Sequence, residues 1–275
     1  CPLCQTGQNL NLKRESKMDL AHYQQSIEPL QEYLFSVNLY NWSEPFLNRQ
    51  VYDIIQYNTD HNIASIISSN LSLKVDAERI VQSGLQHLII SADGIEQEVY
   101  EQYRVNGKLE KVIDNVKAIV AAKKKFNSST PTLEWQCLVN KHNEHSLKET
   151  KKFAINLGVN EVRFANLNFY SSQDQDRWLP TNPNYRFFEK DADPQTQKRK
   201  ACFWLWRSVV VAADGDALPC CLYDVPGWSN SFSSNILESW RSGLFLKARE
   251  LSHPLKAQPG KCDVCDTRTA PFVYK

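Results

Sequence analysis

The chain has 275 residues, of which 42% are apolar and 23% charged, enough for one large core or one core with a small appended unit. The charges of its 32 basic and 31 acidic residues nearly cancel. The chain therefore lacks the charge imbalance that is typical of proteins that bind nucleic acid or anionic membranes. The sequence contains no run of about 18 apolar residues, so no transmembrane helix is predicted. It starts at Cys1 and shows no signal peptide.

Helix-like and strand-like segments alternate from about residue 17 to residue 168. Short apolar runs indicate strands, and amphipathic segments with helical periodicity lie between them. Repeated units of this length predict parallel strands joined by right-handed crossovers, and so a barrel or an open α/β sheet. In chain order we predict helix 18–34, strand 35–39, helix 48–60, strand 63–67, helix 75–83, strand 88–90, helix 110–126, strand 133–139, helix 144–157 and strand 161–165.

Polar turns follow four of these strands, at 41–45, 68–70, 91–94 and 140–143. Asn, Asp, Ser and Gly are common in ordinary turns, so a single turn of this kind carries little information. The carboxyl ends of parallel strands, however, meet at one edge of a sheet, where α/β proteins bind their ligands. Four such turns in phase therefore favour a site at that edge.

The composition changes after residue 170. Residues 170–200 are polar and rich in Pro, Asn and Gln, which predicts a linker or a lid. A compact C-terminal unit follows, with Cys202, a strand over 209–212, the turn Asp214-Gly215, Cys220, an amphipathic helix over 236–251 and a final CxxC. We therefore expect a core domain at 1–169, a linker or lid at 170–200 and a cysteine-rich α+β domain at 201–275.

The eight cysteines are distributed as metal ligands are, not as disulfides. The cysteines include two CxxC pairs, and the chain is long enough to fold without disulfide bonds. This pattern predicts metal or cluster binding in a reducing compartment such as the cytoplasm. The turn at Asp214-Gly215 folds two strands back so that Cys202 and Cys220 can face one centre, to which Cys262 and Cys265 add two thiolates. Four thiolates suit Zn²⁺ and a [4Fe–4S] cluster equally well. Cys221 is a spare thiol, and Cys137 lies in an apolar strand as a core residue.

Four sequence features together resemble the radical S-adenosylmethionine (SAM) enzymes that carry a SPASM or twitch extension. Cys1-Pro2-Leu3-Cys4 resembles the end of that family's Cys-x3-Cys-x2-Cys loop, and the segment 41–45 is similar to its Gly-Gly-Glu segment, with Trp42-Ser43 in place of the glycines. Ser91-Ala92-Asp93-Gly94 followed by Tyr103-Arg104 resembles the SxDG…YxxYR stretch. The C-terminal cysteines are similar to those of a domain with one auxiliary cluster.

The resemblance implies a fold and two clusters. We expect a partial (β/α)6-type barrel followed by a small α+β twitch or SPASM domain. The family's first cysteine would lie four residues before Cys1, so we expect this chain to lack that cysteine and the first barrel strand. As written, the chain is expected to assemble its SAM cluster poorly or not at all, and so to be inactive as a fragment. Cys1 and Cys4 would ligate a [4Fe–4S] cluster that binds SAM, whereas Cys202, Cys220, Cys262 and Cys265 would hold one auxiliary [4Fe–4S] cluster.

Further residues acquire roles only through this resemblance. Glu44 and its neighbour Ser43 would receive the SAM ammonium, and Arg104, helped by Ser91, would pair with the SAM carboxylate. Contacts near the ribose would fall to Asn70 and Asp93, and Asn140 would border the adenine. The plainer alternatives are that Glu44 caps the following helix, that Arg104 is a surface ion-pair partner and that Asn70 only forms a turn. Trp42 is expected to pack, and the six histidines receive no role.

The resemblance implies reductive cleavage of SAM to a 5′-deoxyadenosyl radical, which removes a hydrogen atom from a substrate. A small or sugar-like molecule that is oxidised or epimerised is the first expectation, because a single auxiliary site is similar to that of aminocyclitol dehydrogenases. The alternative within the family is a peptide maturase. The alternative of another class is a non-enzymatic binding protein stabilised by zinc. A reducing partner such as flavodoxin or ferredoxin is implied, with no nucleic-acid or membrane partner.

Overall fold

The structure is a computed structural model that describes residues 1–4, 7, 17–41, 43–167, 172–186, 202–221, 230–231 and 236–251. These residues form two compact units. The first contains the described residues of 1–12 and 35–186, and the second those of 17–34 and 202–251. Within the described ranges, no helix is both long and apolar enough to cross a membrane.

A parallel sheet with helices between consecutive strands forms the first unit, as the alternating segments predict. Its strand order is β1-β2-β3-β4-β5, so each strand lies beside the next one along the chain. The strands are β1 (Ser36–Asn38), β2 (Ala64–Ser69), β3 (His87–Ser91), β4 (Thr132–Val139) and β5 (Glu161–Asn166). The helices are α2 (Val51–Asp60), α3 (Ala77–Gln82), α4 (Gln97–Tyr103), α5 (Leu109–Lys125), α6 (Leu147–Leu157) and α7 (Ser172–Trp178).

One face of the sheet packs against the helices and forms the core. On β4 the side chains of Leu133, Trp135 and Cys137 are fully buried in this apolar cluster, as expected for Cys137. Because alternate residues of a strand point to opposite faces, Glu134 and Gln136 lie on the other face. Helix α5 contributes a buried stripe at helical spacing, formed by Leu109, Val112, Val116, Ile119 and Ala122.

The opposite face of the sheet, the polar face, carries hydroxyl and charged side chains. Ser68 and Ser91 contact each other across β2 and β3, and Glu134 pairs with Arg163 across β4 and β5. By alternation Ile89 and Leu138 lie on this face as well, so polar and apolar side chains are mixed there.

Helix ends differ from the predictions where a local signal is present. The N-terminal helix α1 (Leu20–Ile27) was expected to extend to residue 34, but a 3-10 turn with Pro29 at its start follows at Glu28–Leu30. Gly84 and Gly158 end α3 and α6 with φ of 80° and 99°, conformations that suit glycine. Two helices were not predicted, namely α4 and α7, and α7 occupies part of the segment expected to be a linker or lid.

The second unit combines α1 with the cysteine-rich segment. The predicted hairpin is present, with antiparallel β6 (Val210–Val211) and β7 (Asp216–Leu218) around Gly215 at φ 89°, and β8 (Asn230–Ser231) extends this sheet. The helix expected over 236–251 is divided at Ser242 into α8 (Ile236–Arg241) and α9 (Gly243–Leu251). The turn Glu28–Leu30 contacts α8, so α1 belongs to this unit rather than to the sheet unit in which it was placed.

Candidate SAM and cluster site

The polar turns predicted from the sequence lie after strands whose carboxyl ends share one edge of the parallel sheet. Glu44 follows β1, Asn70 follows β2, Asp93 follows β3 and Asn140 follows β4. Ser91 is the last residue of β3. Residues distant in sequence are therefore gathered at the edge where ligands bind in such sheets.

Glu44 links β1 to the end of β2. Its Oε1 accepts hydrogen bonds from the Ser69 hydroxyl at 2.7 Å and from Phe46 N–H at 3.4 Å, and its Oε2 accepts from Asn70 N–H at 2.9 Å. The contact with Phe46 caps the 3-10 turn Pro45–Leu47, so the capping role considered from the sequence is present. A carboxylate has about four acceptor positions, and these three bonds leave room for one cationic donor.

Burial raises the pKa of the Glu44 carboxyl, and the hydrogen bonds from Ser69 and Asn70 and the charge of Arg104 offset this only in part. A cation bound beside Glu44 would therefore relieve an electrostatic cost that the protein itself does not remove. Ser43, the preceding residue, is exposed, and Trp42 lies outside the described residues.

Two of the predicted SAM-binding residues make local contacts. The Ser91 hydroxyl lies 3.1 Å from that of Ser68 on the polar face. The Asn70 side-chain oxygen accepts from Ser72 N–H at 2.8 Å, which is the turn role considered from the sequence. Both side chains nevertheless stay at the carboxyl edge of the sheet.

Asp93 and Arg104 form a buried ion pair. Arg104 Nε donates to Asp93 Oδ2 at 2.6 Å, with 14% of the arginine side chain and none of the aspartate side chain exposed. Asp93 Oδ1 accepts from Leu138 N–H at 2.7 Å, so both of its oxygens are occupied by protein groups. Although burial alone would lower it, the charge of Asp93 raises the pKa of the Arg104 guanidinium. The surface ion pair considered as an alternative for Arg104 is not what the structure contains.

The CxxC loop is held by an apolar anchor. Leu3, between the two cysteines, is 6% exposed and packs with Tyr103, Leu167 and Trp178. Cys4 N–H donates to the Cys1 carbonyl at 3.2 Å, which closes the turn. A Cβ at Gly7 would lie 2.6 Å from the same carbonyl oxygen, so only glycine fits there. Both thiols are partly exposed and free, and Arg104 Nη1 lies 3.6 Å from Cys1 Sγ.

The loop after β4 fixes helix α7 rather than presenting Asn140 to solvent. Asn140 is 2% exposed, and its amide bonds Leu138 O and His142 N. Lys141 Nζ donates to Asp176 O at 2.7 Å, and Glu144 accepts from the backbone of Thr181 and Asn182. The described part of the predicted linker is therefore attached to the sheet unit.

A charged cluster on the polar face was missed in the sequence. His87 Nε2 lies 3.0 Å from Glu134 Oε2 and 3.8 Å from Glu161 Oε1, and Glu134 also pairs with Arg163. These residues lie in the first half of their strands, away from the edge that carries Glu44. An imidazole and two carboxylates are potential metal ligands, but the ion pairs with Arg163 and His87 already account for Glu134. Along β4 and β5, charged residues alternate with buried apolar residues, and this pattern could have revealed the cluster from the sequence.

The ion pairs of Glu134 predict that its contribution to the free energy of unfolding depends on pH. Burial alone would raise its pKa, but the hydrogen bonds from His87 and Arg163 lower it below the usual 4.5. A carboxyl with a lowered pKa in the folded state contributes stability above its unfolded pKa and loses it as the pH falls through the folded value. Glu134→Gln should cost about 3 kcal/mol of unfolding free energy at pH 7, and much less below the folded pKa.

Urea unfolding measured at pH 7 and at stepwise lower pH, until the Glu134 carboxyl of the folded wild type is protonated, measures this difference. Glu78→Gln is the matched control, because Glu78 pairs with Lys125 on the surface, where both side chains are more than half exposed. An equal loss for Glu134→Gln at both ends of the pH range would contradict the assignment.

The auxiliary site is described in part. Cys202 is buried in a small apolar cluster with Leu205 and Ala248, and the partly buried Cys220 packs against that cluster. Two thiols gathered in this way fit two of the four ligands of a [4Fe–4S] centre. Cys262 and Cys265 lie outside the described residues, and Cys221 is exposed.

The C-terminal segment matches a known family. Residues 202–266 match the family model of SPASM, an iron-sulfur cluster-binding domain, and this segment includes Cys202, Cys220, Cys262 and Cys265. The match favours an iron–sulfur cluster over zinc, the two possibilities that the four thiols alone left open. No curated protein matches the chain.

Solved structures share the fold at low sequence identity. The structure of native anSMEcpe with bound AdoMet is 14% identical with a TM-score of 0.61, over 90% of this chain and 78% of that one. SuiB from Streptococcus suis bound to S-adenosylmethionine is 14% identical with a TM-score of 0.63, over 92% and 64%. BtrN in complex with AdoMet and 2-DOIA is 17% identical with a TM-score of 0.52, over 100% and 92%.

The fold predicted from the resemblance is confirmed. The chain combines an α/β fold shared with anSMEcpe, SuiB and BtrN with a C-terminal segment that matches an iron-sulfur cluster-binding SPASM domain. The described residues fit an iron–sulfur cluster in their donor chemistry, since Cys1 and Cys4 are free thiols in one tight turn and Cys1 Sγ lies 3.6 Å from the Arg104 guanidinium.

Proposed function

We propose that this protein is a radical SAM enzyme, that Cys1 and Cys4 ligate its SAM cluster, and that it removes a hydrogen atom from a small or sugar-like molecule. In an oxidation the substrate radical would then lose a proton and one more electron, for which the auxiliary cluster would be the acceptor, and in an epimerisation it would regain a hydrogen atom from the opposite side. The observation that carries the proposal is the chain of contacts from Asp93 through Arg104 to Cys1. It joins the predicted SAM-binding residues to the predicted cluster ligands, although Cys1 and Arg104 are about a hundred positions apart.

The residues of this edge have complementary tasks toward SAM. Glu44 offers its remaining acceptor position to the ammonium group. The Arg104 guanidinium, of which Asp93 and Cys1 occupy Nε and Nη1, keeps Nη2 for the carboxylate. When bound, the cluster supplies the electron that cleaves the SAM sulfonium to methionine and a 5′-deoxyadenosyl radical. Ser43, Asn70 and Ser91 lie at the same edge, the buried Asn140 holds the loop after β4, and Asp93 supports Arg104.

The polar face of the sheet supports a hydrophilic substrate. Ser68 and Ser91, at the carboxyl end of this face, offer hydroxyl groups, whereas the Glu134–Arg163 pair lies in the first half of its strands and is paired within the protein. A substrate rich in hydroxyl or amino groups can form hydrogen bonds with the two serines. BtrN, whose structure holds 2-DOIA, matches this chain over 100% of its length and 92% of its own.

A peptide maturase is the second candidate, and specific neighbours favour it. One structure of anSMEcpe contains AdoMet and the Kp18Cys peptide, and one of SuiB contains the precursor peptide SuiA. The two candidates separate in a deuterium experiment, in which the purified enzyme receives either deuterated aminocyclitols or deuterated peptides. Transfer of deuterium into 5′-deoxyadenosine identifies the class whose C–H bond is broken.

A one-electron donor such as flavodoxin or ferredoxin completes the proposed system, and we expect it in the cytoplasm, where free thiols stay reduced. The activity is tested with the full-length protein, reconstituted anaerobically, and with dithionite and SAM. Formation of 5′-deoxyadenosine in the wild type, and its loss in Cys1→Ala/Cys4→Ala, is the expected result. No 5′-deoxyadenosine from a protein that has taken up iron would contradict the proposal.

Glu44 provides a separate prediction about SAM binding. Glu44→Gln keeps the shape of the side chain but removes the negative charge offered to the ammonium. A hydrogen bond to a charged group is worth about 1.5–3 kcal/mol, so the Kd for SAM should rise roughly tenfold to a hundredfold. Equilibrium dialysis with labelled SAM measures the change, and Glu98→Gln, at an exposed position on α4, should leave the Kd unaltered.

A further inference from the structure

Arg104 is held in place by contacts within the protein. It caps the carboxyl end of α4, and its Nε is bound to a fully buried Asp93. Asp93 is itself fixed, since its Oδ1 accepts from Leu138 N–H and its carbonyl accepts from Asn143 Nδ2 at 2.9 Å. Moving the guanidinium away would leave a buried carboxylate without its cation, at a cost of several kcal/mol.

This anchoring places the positive charge of Arg104 beside the sulfur of Cys1, a proposed cluster ligand. Arg104 Nη1 donates toward Cys1 Sγ at 3.6 Å, a contact that involves no SAM atom. Hydrogen bonds and net charge at the ligand sulfurs set the reduction potential of an iron–sulfur cluster. Accepting one electron makes the cluster more negative by one unit, and a fixed cation nearby favours that state.

We propose that Arg104 is a positioning residue for the cluster as well as a ligand of SAM: its guanidinium, anchored by Asp93, donates to the Cys1 sulfur and raises the reduction potential of the cluster that Cys1 and Cys4 hold. The proposal rests on the proposed function, because it needs a cluster at these cysteines. It assigns Asp93 the task of holding the charge in place.

The test is a potentiometric titration monitored by EPR, without SAM, so that the role in SAM binding does not contribute. A Cys202→Ser/Cys220→Ser background leaves one cluster to titrate with dithionite. Arg104→Gln should lower the ratio of reduced to oxidised cluster at a fixed applied potential by about tenfold. This change corresponds to a reduction potential that is lower by about 59 mV for a one-electron couple. Arg104→Lys should restore most of the ratio, because it returns the charge.

Two controls keep the test decisive. Arg79→Gln removes a guanidinium from the exposed pair with Asp53 and should not change the potential. The double variant Asp93→Asn/Arg104→Gln has no unpaired buried carboxylate, so we expect it to fold even if Arg104→Gln alone does not. It should also lower the reduction potential. A wild-type protein that takes up no cluster at Cys1 and Cys4 overturns the proposed function as well. A loaded cluster whose potential is independent of residue 104 overturns this inference alone.

Discussion

Replacing Asp93 with alanine is expected to lower the free energy of unfolding by about 3–5 kcal/mol, the cost of leaving one partner of a buried ion pair alone. Asp93 receives Arg104 Nε and Leu138 N–H on its two oxygens, and its side chain is fully buried. Urea unfolding of cluster-free protein under reducing conditions at pH 7 measures the loss.

The matched control for Asp93 is Asp53, which also pairs with an arginine. Asp53 contacts Arg79 at 2.7 Å, but nearly half of each side chain is exposed. Asp53→Ala should therefore cost only about 0.2–1 kcal/mol, the usual range for surface pairs. Equal losses in the two variants would show that the Asp93–Arg104 pair is not buried as described.

Replacing Cys202 and Cys220 with serine is expected to remove about half of the iron. A protein with two [4Fe–4S] clusters holds about eight irons per chain, and the double variant should keep about four. Because the SAM cluster has other ligands, some cleavage of SAM to 5′-deoxyadenosine should persist in this variant. Iron analysis and the cleavage assay on the same samples provide both values.

Cys221→Ser is the control for the auxiliary site, since Cys221 is the exposed neighbour of Cys220 and should not change the iron content. Loss of all iron in Cys202→Ser/Cys220→Ser would indicate one shared site or a general failure to fold. Unchanged iron would remove these two residues from the ligand set.

The order of strands and the edge that carries the site were predictable from the sequence. Hydrophobic periodicity located all five strands of the sheet, because a parallel strand covered by helices leaves a short apolar run. Turn residues such as Glu44, Asn70 and Asp93 then lie together as a consequence of parallel topology, without any knowledge of their contacts.

The contacts themselves were not predictable. Asp93 bonds Leu138 N–H across 45 positions, and Arg104 approaches Cys1 across 103, so neither pairing leaves a local pattern. Helix α7 was missed because its segment is polar, and it is fixed mainly by the loop after β4 and by one buried residue, Trp178. Tertiary packing decided both cases.

The roles of the predicted site residues were refined rather than replaced. Glu44 serves both as a cap of a 3-10 turn and as a candidate ligand of the SAM ammonium, since capping uses only part of its acceptor capacity. Asp93, expected near the ribose, has both oxygens engaged by the protein, and we propose it as the support of Arg104.

EPR spectroscopy of the dithionite-reduced full-length protein, with and without SAM, decides whether Cys1 and Cys4 hold a cluster that binds SAM. We expect a [4Fe–4S] signal that changes when SAM is added and that disappears in Cys1→Ala/Cys4→Ala, beside a second signal that SAM does not affect. A colourless protein that contains one zinc per chain and gives no signal sensitive to SAM would contradict it.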